Sequence, residues 1–384
     1  MNHFLRSGAV IVAGIVLGAC STIDKLNPFS SDSASKVVPL PVLASNEPLP
    51  LKWRASVGSA GEYSFVPAIS SQAVFAAARD GSVSRIENGN AVWKVSLGLI
   101  LSGGVGTDGT VVVVGTPKAD VIALEASSGK QLWRARAGSE ILAAPAISDG
   151  VVVVRSGDSR IMGFSAVDGK RRWVYQRATP PLALRSSVGV RIDSGRVLAG
   201  FPGGKMVALS LANGSVIWEA TVALPKGATE LERVTDITSE PVAVGGVVCS
   251  VAYQGKLSCF EASSGNAAWS RDVSSSAGLD ADSNYVYVTD EDGGIDALDR
   301  SSGASIWRQD KLKGQGIGRP AAFGNRIAVL DAKGNIHLLQ RTDGALVGRN
   351  ATDASGARVP LVVGNGMLLA QTQDGSLYAM TAGQ

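Results

Sequence analysis

The chain has 384 residues, 45% of them apolar, which is enough to bury a large core. Its net charge of +3 is small for that length and argues against nucleic-acid binding, which needs a clustered basic surface. Glycine is abundant at 46 residues, aromatics make up only 5%, and the apolar set is dominated by Val and Ala, of which Val favours strands.

The first predicted element is a leader. MNHFLR carries Arg6, SGAVIVAGIVLGA is apolar, and Cys20 follows. A basic start, an apolar run too short to span a bilayer and a small-residue exit describe a secretory signal peptide over residues 1–19. Leu17-Gly18-Ala19-Cys20 resembles a bacterial lipobox, where cleavage falls before the cysteine and its thiol and amine take acyl chains. The alternative is an ordinary signal peptide with an incidental cysteine. Several acyl chains on Cys20 would hold the protein firmly at a membrane. By analogy with such lipoproteins, Ser21 implies the outer membrane, where an Asp would imply retention at the inner one. Residues 20–50 are rich in Ser and Pro and show no apolar period, so they are predicted to be a flexible tether.

From residue 51 onward the chain repeats itself. Tryptophans stand at Trp53, Trp93, Trp133, Trp173, Trp218, Trp269 and Trp307, with spacings of 40, 40, 40, 45, 51 and 38. Four residues before each, Trp53 excepted, lies a glycine: Gly89, Gly129, Gly169, Gly214, Gly265 and Gly303. DGALVG repeats the phrase with Gly344 in the turn and Gly348 where Trp would stand. Between the tryptophans a second phrase recurs eight times, as in GSVSRI (81–86), DVIALE (120–125) and GSLYAM (375–380). Runs such as VVVV at 111–114 precede it. Each unit reads as short strands joined by Gly, Asp and Asn turns, with no long helical period. Four strands per period of about 40 residues predict an all-β, eight-bladed β-propeller with four-stranded antiparallel blades over 51–384. The last unit lacks its Trp strand, and LKWRASV at 51–57 is a Trp strand without a unit. Pairing this N-terminal strand onto the last blade closes the ring and removes open edges. The seven tryptophans are assigned to packing across blade seams, with the indole N–H on a carbonyl.

The phrases LEASSGKQLW and FEASSGNAAW resemble the tryptophan-docking repeats of pyrroloquinoline quinone dehydrogenases, which are also eight-bladed propellers. The whole pattern resembles more closely the BamB family, propeller lipoproteins of the outer-membrane β-barrel assembly machinery. That resemblance covers the lipobox, the tether and all eight repeats. It implies a non-enzymatic scaffold in the outer membrane, facing the periplasm and bound to BamA and, through it, to the other assembly lipoproteins. Unfolded outer-membrane proteins are a further candidate partner. A quinone-dependent dehydrogenase and a surface-exposed binding propeller are the alternatives.

Catalytic material is sparse. The chain left after leader removal keeps one histidine, His337 in GNIHLL, read as structural. Gly104-Val105-Gly106-Thr107-Asp108-Gly109 matches G-x-G-x-x-G but leads into a strand, so it reads as turn chemistry. Asp280-x-Asp282-x-Asn284 starts like a calcium loop, yet Tyr285 stands where glycine is required. Asp290-Glu291-Asp292 reads as a solvated loop. The quinone enzymes use adjacent cysteines, and this chain has none. No cofactor, metal or catalytic residue is therefore expected.

Cys249 and Cys259 flank the hairpin VVCSVAYQGKLSCF. A three-residue loop Tyr253-Gln254-Gly255, with Gly255 left-handed, would set the cysteines face to face for a disulfide; a two-residue loop would separate them. The longer Trp spacings place extra residues in QRATPPLALRSSVG (176–189) and ALPKGATELERVTDITSEP (223–241). Insertions in consecutive repeats gather on one face, often the binding face. The BamB resemblance implies that Leu182, Leu184 and Arg185 engage BamA. It also implies an acidic pair in the second loop, whose first member is Asp236 and whose second falls on Thr238.

Overall fold

The structure is a computed structural model that describes residues 39–382 apart from 44, 72 and 358. Its regular elements are strands, gathered into eight sheets with no helix among the described residues. Blades 1 to 7 run 68–96, 103–136, 146–175, 191–221, 242–271, 278–309 and 321–351. Blade 8 combines 362–381 with Leu51–Ser56, which pairs antiparallel onto Ser376–Thr381 as the outermost strand. The ring closes as the orphan Trp strand predicts. The first strands of neighbouring blades touch and line the axis.

The apolar runs are continuous because both faces of a blade are covered. In Val111–Gly115, Val112 and Val114 enter the core shared with blade 1, while Val111 and Val113 enter the core shared with blade 3. Among the described residues, eight hydrophobic clusters each lie between two adjacent blades. A strand buried on both faces loses the alternation of a half-exposed one.

The Trp phrase has three parts that act together. All eight outer strands carry a β-bulge just before the Trp position, as between Gln131 and Trp133. In blades 1, 2, 4 and 6 the bulged residue faces solvent: Val92, Leu132, Ile217 and Ile306 are all exposed. A bulge re-aims the next side chain, and here it turns the indole toward the following blade. Trp133 Nε1 donates to Ala166 O at 2.8 Å, and five other indoles repeat this bond at 2.8–3.0 Å. The glycine of the following turn lies against the ring. Gly169 has φ +70°, and a Cβ on it would meet Trp133 Cε3 at 2.6 Å. The turn glycine is thus required twice, for its left-handed φ and for the neighbour's indole.

Blade 7 has Gly348 in place of Trp, and the chain just before the first strand occupies that place. A Cβ on Gly348 would run into Glu47 O. Glu47 N–H donates to Val347 O at 2.9 Å, Arg349 N–H to Asn46 Oδ1 at 2.8 Å and Leu49 N–H to Asn350 Oδ1 at 2.9 Å. Leu49 is buried in the core between blades 7 and 8. Residues 46–49 of the expected tether thus line the propeller wall, and residues 20–38 lie outside the described residues.

Two local expectations change. Gly103–Thr107 is the inner strand of blade 2 rather than a turn, and Ser64–Phe65 adds a fifth strand parallel to it. Gly106 is glycine because a Cβ would run into Pro145 O. In blade 5, Cys249 pairs with Cys259 across the hairpin, 4.1 Å apart at Cα and joined by a disulfide. The left-handed residue of its loop is Gln254, at φ 49°, not Gly255. Gly255 is needed for space, since a Cβ would meet Ala223 Cβ at 2.7 Å.

Candidate docking surface

The two insertions leave the same end of the ring. Residues 176–190 join the outer strand of blade 3, Arg171–Tyr175, to the inner strand of blade 4, Arg191–Asp193. Residues 222–241 make the same connection from Val216–Thr221 to Val242–Val244. Pro180-Pro181 removes two backbone donors, and the first insertion has no strand of its own. Side-chain bonds from elsewhere must therefore fix its shape.

Asp236 does so. Its Oδ2 accepts the N–H of Leu184 at 2.7 Å, and its Oδ1 accepts the N–H of Gly203 at 3.1 Å. The hairpin of the cysteine pair adds a third tie, Tyr253 N–H to Asp236 O at 2.8 Å. Asp236 is only 3% exposed. Its carboxylate is occupied by two backbone donors, and through them it shapes the neighbouring loop.

Leu182 and Leu184 are 41% and 40% exposed on that loop. Arg185 reaches Glu140 at 3.0 Å, with most of its side chain in solvent. An exposed pair of this kind is worth roughly 0–1 kcal/mol, so the guanidinium can exchange partners cheaply. Thr238, at the second acidic position, donates its hydroxyl to Ser276 O at 3.2 Å. The surface thus offers two apolar side chains and a mobile cation on a rigid backing, a composition suited to protein docking. Glu140 could not be singled out from sequence, because it lies 45 residues from its partner.

Leu184 and Arg185 also border a cavity of about 800 Å³ at the axis. It is lined by the segments leading into successive inner strands, among them 186–189, 238–240, 316–319 and 359–361. Asp290, Glu291 and Asp292 border it too, so that turn faces the cavity.

The other candidates serve the fold. His337 is fully buried, with Nε2 2.9 Å from Asp331 Oδ2 and Nδ1 accepting from Arg349 Nε at 3.3 Å. Burial opposes the charge on Asp331, but bonds from His337 and Asn335 hold its pKa below the usual carboxylate range. Asp282 accepts the N–H groups of Asn284 and Tyr285 at 2.7 and 2.9 Å, a turn rather than an ion loop. Among the described residues no group of three or more His, Cys, Asp or Glu could hold a metal ion. Cys20 lies outside the described residues.

Comparison with known proteins supplies the lineage. The family model described as "Outer membrane protein assembly factor BamB" matches residues 79–309 and 291–384. An outer membrane protein assembly factor BamB from Burkholderia pseudomallei (strain K96243) is 39% identical over 384 residues, covering 98% of each chain. The chain belongs to the BamB family.

The Escherichia coli (strain K12) family member is 34% identical over 381 residues, covering 95% of this chain and 96% of that one. The crystal structure of BamB from Moraxella catarrhalis superposes with a TM-score of 0.81 at 29% identity, over 87% of this chain and 100% of that chain. The quinohemoprotein alcohol dehydrogenase of Comamonas testosteroni shares the fold alone, at TM-score 0.68 and 13% identity over 87% of this chain and 76% of that one. The likeness of the Trp phrase to quinone enzymes is thus a likeness of architecture, while BamB family members match along the whole chain.

Proposed function

We propose that this chain is a non-enzymatic scaffold of the outer-membrane β-barrel assembly complex. Residues 1–19 are its signal peptide, Cys20 carries its lipid, and the segment after Cys20 links the anchor to the propeller. The propeller faces the periplasm and docks BamA through Leu182, Leu184 and Arg185. Through BamA it joins the other lipoproteins of the complex and assists folding and insertion of β-barrel proteins.

The observation that carries this reading is a pair of exposed leucines beside an exposed guanidinium, on a loop fixed from behind by a buried carboxylate. Surface-exposed apolar pairs on a rigid backing need little ordering on binding, which favours a specific partner. The family name, that of an assembly factor, supports the same conclusion. Affinity capture from detergent-solubilised membranes tests it. Recovery of BamA with its companion lipoproteins is the expected result; capture without BamA would refute the reading. Protease treatment of intact cells checks the orientation, and a periplasmic propeller stays uncut.

A further inference from the structure

The two halves of the propeller rim differ in charge. The outer strands of blades 8, 1, 2 and 3 are Leu51–Ser56, Asn90–Ser96, Gln131–Arg136 and Arg171–Tyr175. No Asp or Glu stands in any of them. Lys52, Arg54, Lys94, Arg136, Arg171 and Arg172 are exposed there and have no carboxylate partner among the described residues. Arg134 is neutralised by Asp120 at 2.8 Å. Acids just before these strands are paired locally, Glu87 with Arg85 and Asp168 with Lys170. The outer strands of blades 4 to 7 are different. Glu219 on blade 4 pairs with Arg177, and Arg308 on blade 6 is held by Asp290, Asp296 and Asp310. Arg349 on blade 7 bonds His337 and Pro41 O. Arg271 on blade 5 is the one exposed cation of these four strands without a carboxylate among the described residues.

The basic half has a composition of its own. Its cations are interleaved with Leu51, Val92, Leu132 and Val174, each 45–56% exposed. A folded protein partner selects an apolar centre with few charges, and a phosphodiester backbone gains nothing from aliphatic side chains. A lipid interface takes both, the cations at its headgroups and the aliphatic side chains just below them. Anionic headgroups supply the complementary charge. The path of the chain points the same way. Pro41 O accepts Arg349 Nη2 at 3.0 Å, and Glu47 N–H donates to Val347 O. The segment before Leu51 thus runs along blade 7 and enters the ring where the basic half begins. Residues 20–38 reach about 65 Å at most when fully extended, so a lipid on Cys20 keeps the rim of blade 8 within reach of its bilayer.

We propose that the basic rim of blades 8, 1, 2 and 3 binds the surface of an anionic phospholipid bilayer, with its cations on the phosphate groups and its aliphatic side chains in the interface. The approach to the bilayer rests on the Cys20 anchor proposed above; the affinity of the rim for lipid does not.

The test uses the chain from residue 20 onward with Cys20→Ser, so that no lipid is attached, in sedimentation with vesicles. The described fold spans 39–382, and this chain keeps all of it. Vesicles of phosphatidylcholine with phosphatidylglycerol bind it, with an affinity that falls steeply as salt is raised. Vesicles of phosphatidylcholine alone do not. Lys52→Gln, Lys94→Gln and Arg136→Gln together weaken binding on the order of a hundredfold, about fivefold per cation. Arg271→Gln, Lys311→Gln and Lys333→Gln together, at exposed cations of the other half, leave it nearly unchanged. Equal binding to the two kinds of vesicle, binding indifferent to salt, or a rim variant that binds as well as the unaltered chain overturns the proposal. So do equal losses in the two triple variants. Tighter binding of soluble polyglutamate than of the vesicles assigns the rim to an acidic polypeptide and overturns it too. The lipid and salt dependence of the chain with these cations intact decides even if a triple variant does not fold. Neither BamA nor a lipid anchor is present, so failure here leaves both of those readings untouched.

Discussion

At one end of the ring, six indoles make the same bond to the next blade. At the other end, the insertions before blades 4 and 5 are bound to each other through Asp236. The first region is a repeated solution to one packing problem, the sealing of a seam between two sheets. The second is a single arrangement, built once, that leaves leucines in water. The difference separates stability from recognition. The seams carry buried apolar area, and the loops carry exposed area whose removal costs the fold little.

Four variants test that separation, from the largest effect on stability to the smallest. Trp133→Ala removes a ring that is 7% exposed between blades 2 and 3 and should cost about 3–5 kcal/mol in denaturant unfolding. The protein that remains folded should still capture BamA; selective loss of capture would join the two regions that the comparison keeps apart. Replacing Cys249 and Cys259 together by alanine opens a closed loop and should cost about 2–4 kcal/mol. Intact mass before and after reduction checks the bond itself, and an unchanged mass would contradict it.

Asp236→Ala sits between the two regions. It leaves the N–H groups of Leu184 and Gly203 without their acceptor, at about 1–3 kcal/mol, and should weaken BamA capture by loosening the loop that carries Leu184. Normal capture by this variant would mean that the loop holds its shape without the carboxylate. The double change Leu184→Ala with Arg185→Ala should shift stability by no more than about 0.5 kcal/mol, because both side chains are exposed. Its BamA capture should nonetheless be lost. Capture at the normal level would remove the docking surface from this loop.

The closing seam shows that a repeat position can be filled from outside the repeat. Trp307 of blade 6 donates to Arg341 O in blade 7, whereas blade 7 offers Gly348 to Glu47 and fills the next seam with Leu49. The missing tryptophan was visible in the sequence, but its substitute was not. No local property of Glu47 or Leu49 announces a contact some 300 residues away. The bulge before each tryptophan was also hidden, because G-x-x-x-W does not say which residue steps out of register. The bonds of Asp236 were hidden for a related reason. A carboxylate in a loop reads as exposed until the backbone donors that surround it are known.

By itself the sequence determined the number of blades, the four-strand pattern repeated in each and how the ring closes. Those properties depend on periodicity, and periodicity is written in local spacing: a turn glycine, a tryptophan four residues on, a strand pattern between. Tertiary structure alone decided which polar groups are occupied and which are free. Asp236 is occupied by the loop before another blade, while the side chains of Leu182, Leu184 and Arg185 on that loop are exposed. The sequence places Asp236 and Leu184 in separate insertions, and only folding brings them together, because the insertions belong to different blades.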